Sequence, residues 1–293
     1  MNHKSDIAVC FGEVLWDILP TEALPGGAPM NVAYHLNQLG IETKMISRVG
    51  NDENGKGLLA FMKQHSIPTN LVQLDDHQPT GTVLATYGAN HEMQYEIVKP
   101  VAYDFIDVTS ETFSAVSKAS HFIFGSLAAR TGHSRKTLAQ LLNLAEVKVF
   151  DINLRAPHYD QEVLEQLIQQ TDILKLNEHE LELVSDWHAD ISKFDDKVRL
   201  ISDRYQISKV IVTKGSNGAS YFDGEKFYHH PGFRVEVADT IGSGDSFLAG
   251  FLSKLISGAA PEACIEFACR IGAFVATQKG GCPVYNGGMN NLF

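Results

Sequence analysis

The chain is short of what most function classes require. Its four cysteines, Cys10, Cys264, Cys269 and Cys282, form no Cys-x-x-Cys pair and have no paired histidines at ligand spacing. That pattern gives neither a zinc site nor a disulfide framework, and leaves buried thiols in a reducing, cytoplasmic setting. Positive charge is scarce: 24 Lys and Arg against 35 Asp and Glu give a formal charge of -11. Nucleic acid and anionic membranes recruit basic faces, so neither is an expected partner. A long apolar run is missing too. Met1 to Pro20 is interrupted by Lys4, Asp6, Glu13 and Asp17, and reads as neither a signal peptide nor a membrane span. No Gly-x-Gly-x-x-Gly opens the first strand–helix unit, which removes the usual support for a dinucleotide-dependent dehydrogenase.

What is present is an ordinary soluble composition, 44% hydrophobic and 20% charged, in 293 residues. That length suits one large domain, alone or with a small appendage. Short apolar runs fall at Ile7 to Phe11, Lys44 to Val49, Phe122 to Phe124, Val147 to Phe150, Ile173 to Leu176 and Val210 to Thr213. Helical patterns alternate with them, including Met30 to Leu39 and Gly57 to His65. The alternation predicts an α/β fold whose mostly parallel sheet is covered by helices on both faces, with ligands at the carboxyl ends of the strands. Thr80 to Val98 breaks the rhythm. Its two period-two strands around Gly88 to His91 predict a hairpin, read equally as a lid over a site or as a plain edge hairpin.

The most informative stretch runs from Ala238 to Gly250: Ala-Asp-Thr-Ile-Gly-Ser-Gly-Asp-Ser-Phe-Leu-Ala-Gly. Phe247, Leu248, Phe251, Leu252 and Leu255 mark a helix that Gly258 and Pro261 end. The first amides of a helix lack intrahelical partners and sit at the positive end of its dipole. Gly242, Ser243 and Gly244 let an anion approach that backbone closely. Asp245 would repel a resident anion there. It suits a transient one, a phosphoryl group arriving beside a carboxylate that takes a proton.

Gly50 to Gly57 nearly spells a phosphate-binding P-loop, but Gly57 stands where a Ser or Thr must follow Lys56, and Asp52 and Glu53 would repel phosphates. A tight strand-to-helix turn explains it better. Gly26 and Gly27 precede a helix with Pro29 in its first turn and Asn31 soon after; Asn31 reads as a helix cap or a ligand contact. Asp17, past the first strand, reads as a solvated loop acid or an acceptor for hydroxyls. Asp151, Asn153 and Arg155 alternate after a strand, so they share a direction if strand geometry persists. Asn177 and Glu180 lie three apart on a starting helix, a spacing that serves a capping box or a magnesium site. Thr213, Gly215 and Gly218 form a turn that is a simple hairpin connection or a place where amides meet a nucleotide.

Together these segments resemble the PfkB carbohydrate kinase family, and the resemblance spans nearly the whole chain in order. Gly26-Gly27 to Asn31-Val32-Ala33, extending to Arg48-Val49-Gly50-Asn51-Asp52, is similar to its first signature. Asp239 to Asp245 is similar to its second, and Asn177 to Glu180 to its magnesium motif. The resemblance implies a single ribokinase-like three-layer α/β/α domain over residues 1–293, with a small β-lid from about 13–28 and 79–100. It implies Asp245 as catalytic base, with Gly242, Ser243, Gly244 and Asp245 amides around the γ-phosphate. It implies Asp17, Gly27, Asn31 and Arg155 at the sugar, and Lys175, Thr213, Gly215 and Gly218 at the nucleotide. Asn177 and Glu180 would order water around Mg2+ carried with ATP. Asp239 is the candidate K+ position, although Val284 stands where ribokinases often carry serine. ATP and a small sugar are the implied partners, with a homodimer through the lid as the implied assembly. The Ala28-Pro29 form of the first signature, Gly12-Glu13 before Trp16-Asp17, and Phe124-Gly125-Ser126 resemble fructokinases most closely. Kinases of 2-keto-3-deoxygluconate, ribose or a nucleoside, and a sugar-binding regulator without catalysis, stay open.

Overall fold

The computed structural model describes residues 6–87 and 93–285. The first third of the chain supplies β1 (Ile7–Phe11), β2 (Leu15–Ile18), β3 (Ala23–Gly26), α1 (Ala28–Gln38), β4 (Glu42–Gly50), α2 (Glu53–Gln64), β5 (Val72–Asp75), β6 (Gly81–Tyr87) and β7 (Met93–Ile97). The middle adds α3 (Ser110–Lys118), β8 (His121–Gly125), α4 (Gly132–Leu142), β9 (Val147–Asp151), α5 (Gln161–Ile168), β10 (Ile173–Asn177), α6 (Glu178–Asp186) and α7 (Phe194–Tyr205). The last part holds β11 (Lys209–Thr213), β12 (Ala219–Phe222), β13 (Phe227–His230), α8 (Ser243–Ile256) and α9 (Pro261–Ala276).

Nine of these strands form one sheet in the order β13-β12-β11-β10-β9-β8-β1-β4-β5. Pairings from β11 across to β5 are parallel, and β12 and β13 extend the sheet antiparallel. Both faces of the sheet are buried, which is why its strands read as apolar runs. In β1, Val9 and Phe11 enter one apolar cluster while Ala8 and Cys10 enter the other. The first cluster takes Val116, Leu141, Ile168, Val184 and Ile201 from α3 to α7. The second takes Leu36, Met62, Phe251 and Ile265 from α1, α2, α8 and α9. The result is helix, sheet, helix. Among the described residues no helix is long and apolar enough to cross a membrane.

The hairpin belongs to a second sheet, ordered β3-β2-β6-β7. Asp17 on β2 lies opposite Leu24 of β3 and, in parallel register, Val83 of β6. Asp17 is therefore a strand residue of the small sheet, not the loop acid the sequence suggested. The turn expected at Gly88 to His91 lies outside the described residues. Three further strands, β5, β12 and β13, lie outside the apolar runs read from the sequence. β5 is four residues with polar interruptions, and β12–β13 follow a turn that carried the only local signal.

The near P-loop resolves into a cap. The Asp52 carboxylate accepts hydrogen bonds from the Gly55 amide at 2.7 Å, the Thr80 amide at 2.9 Å and the Thr80 hydroxyl at 2.6 Å. It starts α2 four residues earlier than the apolar period alone implied, and ties that helix to the chain entering β6. Trp16 of β2 donates to the Asn54 carbonyl at 2.9 Å, so the small sheet is fixed to α2 at two places. Replacing Asp52 by alanine removes an N-cap and leaves the Thr80 donors unmatched. The expected loss is about 1–2 kcal/mol of unfolding free energy, read from urea denaturation. An unchanged denaturation midpoint would contradict the capping role.

Candidate active site

A cavity of about 480 Å³ opens at the carboxyl ends of the parallel strands, where loops after β1, β9, β10 and β11 converge. Leu15, Asp17, Val83, Tyr95 and Ile97 of the small sheet form another wall, and the start of α8 completes it. The cavity gathers Asp17, Gly27, Asn31, Arg155, Lys175, Asn177, Glu180, Thr213, Gly242, Gly244 and Asp245 from the sequence-derived candidates. Four candidates stand outside its lining: Ser243, Gly215, Gly218 and Asp239.

At α8, Gly242 is the N-cap with φ 72°, and no side chain caps the helix. A β-carbon at Gly242 would press to within 2.5 Å of the Gly281 Cα, so glycine is needed for both conformation and approach. At Gly244 a β-carbon would meet only Lys175 Nζ at 3.5 Å. Its absence leaves the first-turn backbone bare toward the cavity. Ser243 is tied into the turn. Its amide donates to the Thr240 carbonyl at 3.2 Å and its hydroxyl to the Gly272 carbonyl at 3.1 Å. The turn therefore engages the Ser243 N–H within the loop itself.

Asp245 is 9% exposed. Burial is the largest influence on its carboxyl and, with the charge of Asp151, pushes its pKa up to about 6. The Asn31 hydrogen bond and the charges of Lys175 and Arg155 hold it back. Asn31 Nδ2 donates to Asp245 Oδ2 at 2.8 Å, and the Cys282 thiol donates to Asn31 Oδ1 at 3.3 Å. Asn31 is thus a positioning residue for the carboxylate as well as a cavity residue. The segment bearing Cys282 is itself pinned to α1. Tyr34 donates to the Pro283 carbonyl at 2.9 Å, and His35 bonds the Gly281 carbonyl at 2.8 Å and the Tyr285 hydroxyl at 2.7 Å. Burial lowers the His35 pKa to about 4. The neutral ring then donates from Nε2 to the carbonyl and accepts at Nδ1 from Tyr285.

Behind Gly244, Lys175 donates to Asp151 at 2.7 Å, with side chains 7% and 5% exposed. Burial opposes the lysine charge, but Asp151 outweighs it and the Lys175 pKa rises. Asp151 Oδ1 is buried without a partner among the described residues. Asn177 and Glu180 form the capping box: Asn177 Oδ1 accepts the Glu180 amide and Glu180 Oε2 the Asn177 amide, both at 2.8 Å. Glu180 Oε1 accepts the Leu154 amide at 2.7 Å. Burial and Asp151 raise the Glu180 pKa. Each carboxylate oxygen keeps lone pairs free for water. Among the described residues no group of three or more His, Cys, Asp or Glu converges as a metal cage. The unpartnered Asp151 oxygen beside Asn177 and Glu180 instead fits a hard cation that arrives with its phosphates and waters.

Among the described residues five carboxyls line the cavity, Glu13, Asp17, Asp151, Glu180 and Asp245, against the two cations Arg155 and Lys175. Burial pushes the Asp17 pKa up to about 6, helped by Asp245 and Asp239 and opposed by Arg155. Asn153 and Arg155 do share a direction with Asp151 into the cavity, although strand geometry ends at Asp151 and Asn153 takes φ 41°. Thr213 lines the cavity at the end of β11. Gly218, with φ 80°, is needed because a β-carbon would strike the His230 carbonyl. Asp239 accepts the Ile241 amide at 3.0 Å and the Gly280 amide at 3.1 Å, so it braces the loop before α8. Glu13 was not among the sequence candidates. Its position one residue past the glycine that ends β1, at a carboxyl strand end, was the available signal.

Comparison with known proteins gives the family and the fold. The pfkB family carbohydrate kinase profile matches residues 10–285. Fructokinase-2 of Solanum lycopersicum is 26% identical over 310 residues, covering 96% of this chain and 93% of the relative. The structure of a fructokinase from Vibrio cholerae O395, bound to fructose, ADP and a calcium ion, superposes with TM-score 0.81 at 23% identity, covering 95% of each chain. An aminoimidazole riboside kinase of Salmonella enterica, with its riboside and an ATP analogue, gives TM-score 0.81 at 22% identity, covering 97% of this chain and 99% of that one. The shared architecture is the ribokinase-like fold, its mostly parallel sheet flanked by helices beside a small sheet that is consistent with a lid.

Removing one partner of a buried ion pair strands the other. Lys175→Met leaves Asp151 unpaired, with an expected loss of about 3–5 kcal/mol in urea denaturation. Adding Asp151→Asn to that variant should recover most of it. Full stability of Lys175→Met alone would contradict the pairing.

Proposed function

The chain belongs to the pfkB family of carbohydrate kinases, so it phosphorylates a sugar with ATP, and we propose that the sugar is fructose and the product fructose 6-phosphate. The observation that carries the reading is the buried Asp245 carboxylate at the bare start of α8, held by Asn31 in a cavity it shares with Asp17. The primary hydroxyl oxygen attacks the γ-phosphorus of ATP as its proton passes to Asp245. The bond to the ADP oxygen breaks, and ADP leaves. Gly242, Gly244 and Asp245 amides receive the charge on the transferred group. Lys175 and Thr213 serve the nucleotide side, with Gly215 and Gly218 shaping the adjoining turn. Asp17, Gly27, Asn31 and Arg155 serve the sugar.

Asp151, Asn177 and Glu180 would hold Mg2+ through water. Bound with ATP, that ion neutralises phosphate charge. The small sheet acts as a lid that excludes water and limits ATP hydrolysis. It also offers the surface for a homodimer, whose presence sedimentation would reveal. A cytoplasmic setting suits the free thiols of Cys10, Cys264, Cys269 and Cys282. Potassium near Asp239 belongs to the same reading and is tested by replacing it with sodium in the assay.

The charge on the cavity walls supports a neutral sugar. A carboxylate-bearing acceptor such as 2-keto-3-deoxygluconate would meet Glu13 and Asp17 with Arg155 as the one cation not paired to Asp151. Relatives named fructokinase, at 26–28% identity, and the Ala28-Pro29 form of the first signature support fructose among neutral sugars. ADP release with a sugar panel tests the choice: fructose should exceed ribose, a riboside and 2-keto-3-deoxygluconate. A better ribose or keto-acid substrate would overturn fructose, and no sugar-dependent release would favour a sugar-binding regulator.

Asp245→Asn should lower kcat roughly a hundredfold to ten-thousandfold, with sugar affinity within about tenfold of wild type. Retention of most of kcat would remove Asp245 as base. A base works ionised, and burial places the pKa of this one at about 6. Hence kcat/KM should climb as pH rises from about 5 to about 7. A flat profile over that interval would contradict the raised pKa.

A further inference from the structure

Glu13 has no role in the chemistry described above, yet it is among the most constrained groups in the cavity. It is 3% exposed and lies on the cavity wall. The backbone around it has no slack. Gly12 turns the chain with φ 143°, where a β-carbon would come within 2.8 Å of Pro29 Cγ. A β-carbon on Gly27, the N-cap of α1, would run into the Glu13 carbonyl oxygen. Strand end and helix start therefore clamp Glu13 between them. Its Oε2 is buried with no hydrogen-bond partner among the described residues. A buried acceptor left unmatched is destabilising, and native structures keep such atoms where a ligand or water completes them.

We propose that Glu13 is a substrate-binding residue, its Oε2 accepting a hydrogen bond from a sugar hydroxyl other than the one phosphorylated. This rests on the sugar-kinase reading and deepens it by adding a specificity contact. Burial raises the Glu13 carboxyl to a pKa of about 7, with backbone amides of Glu13 and Ala28 and the charge of Arg155 favouring its charged form and Asp245 opposing it. A hydroxyl fits this acceptor because it brings a donor and no charge. A site built to bond a hydroxyl discriminates against analogues that lack it, since its own polar atom is then left unmatched.

The test is a cycle between residue and substrate. Wild type, Glu13→Gln and Glu13→Ala are assayed by ADP release with fructose and with monodeoxy fructoses, each lacking one hydroxyl other than the reacting one. Glu13→Ala should lower kcat/KM for fructose roughly tenfold to a hundredfold, mainly through KM. For one analogue, wild type should lose a similar factor and Glu13→Ala should lose nothing further. If Glu13→Ala costs the same factor on fructose and on every analogue, Oε2 bonds no substrate hydroxyl and the proposal fails. Thermal melting separates this from misfolding, and the near-isosteric Glu13→Gln runs the same cycle should the alanine variant not fold. Failure of fructose turnover in wild type would count against the sugar assignment. Loss of coupling with wild-type turnover intact would count against Glu13.

Discussion

The hydrogen bond from Asn31 to Asp245 joins residues 214 positions apart, and the rest of the site is arranged around it. It requires α1 and α8 to pack against each other with their N-termini facing one cavity. That packing requires glycine at Gly27 and Gly242, where any side chain would collide with neighbouring backbone. It also requires the segment from Gly281 to Tyr285 to lie across α1, held by Tyr34 and His35. From there Cys282 fixes the Asn31 amide so that its NH2 points at the carboxylate. The bond keeps a buried acid ionisable. Without a donor, burial and Asp151 would act on Asp245 with less to oppose them.

Charge crowding is the second constraint. Five carboxyls face two cations, one of which is already committed to Asp151. Asp17, Glu180 and Asp245 all respond with raised pKa values, burial being the leading cause in each. The fold sustains this crowding by giving both Glu180 oxygens to backbone amides and by burying the Lys175–Asp151 pair beneath Gly244. Such a cavity is better matched to its ligands than to emptiness. In the proposed reading a nucleotide with a divalent ion would relieve the acids near Asp151, and a neutral sugar would leave those near Asp17 undisturbed.

Local patterns made much of this legible. The glycine turn before an amphipathic helix was legible from Gly242 to Asp245 and the structure starts α8 there, and strand alternation indicated the layered sheet. Asn177 and Glu180 were legible as a cap, and the structure makes that cap. Features set by distant pairing were not. Asp17 sits on β2, whose parallel partner β6 is 66 residues away in sequence, so no local period announces it. The bond from the Ser243 amide to the Thr240 carbonyl is likewise a product of the folded turn. Gly218 is required by contact with the chain near Gly232, and Asp239 by an amide at Gly280. Glu13 is a lone acid in sequence; only folding shows that it is buried and clamped, with Oε2 unpartnered among the described residues.

The most direct test of the Asn31–Asp245 arrangement is the titration of the Asp245 carboxyl by carbon-13 NMR, assigned with Asp245→Asn. The structure predicts a midpoint near 6 in the free enzyme. It predicts a higher midpoint in Asn31→Ala, because the donor that favours the charged form is gone. A midpoint in the ordinary aspartate range near about 4, unchanged by removing Asn31, would contradict it.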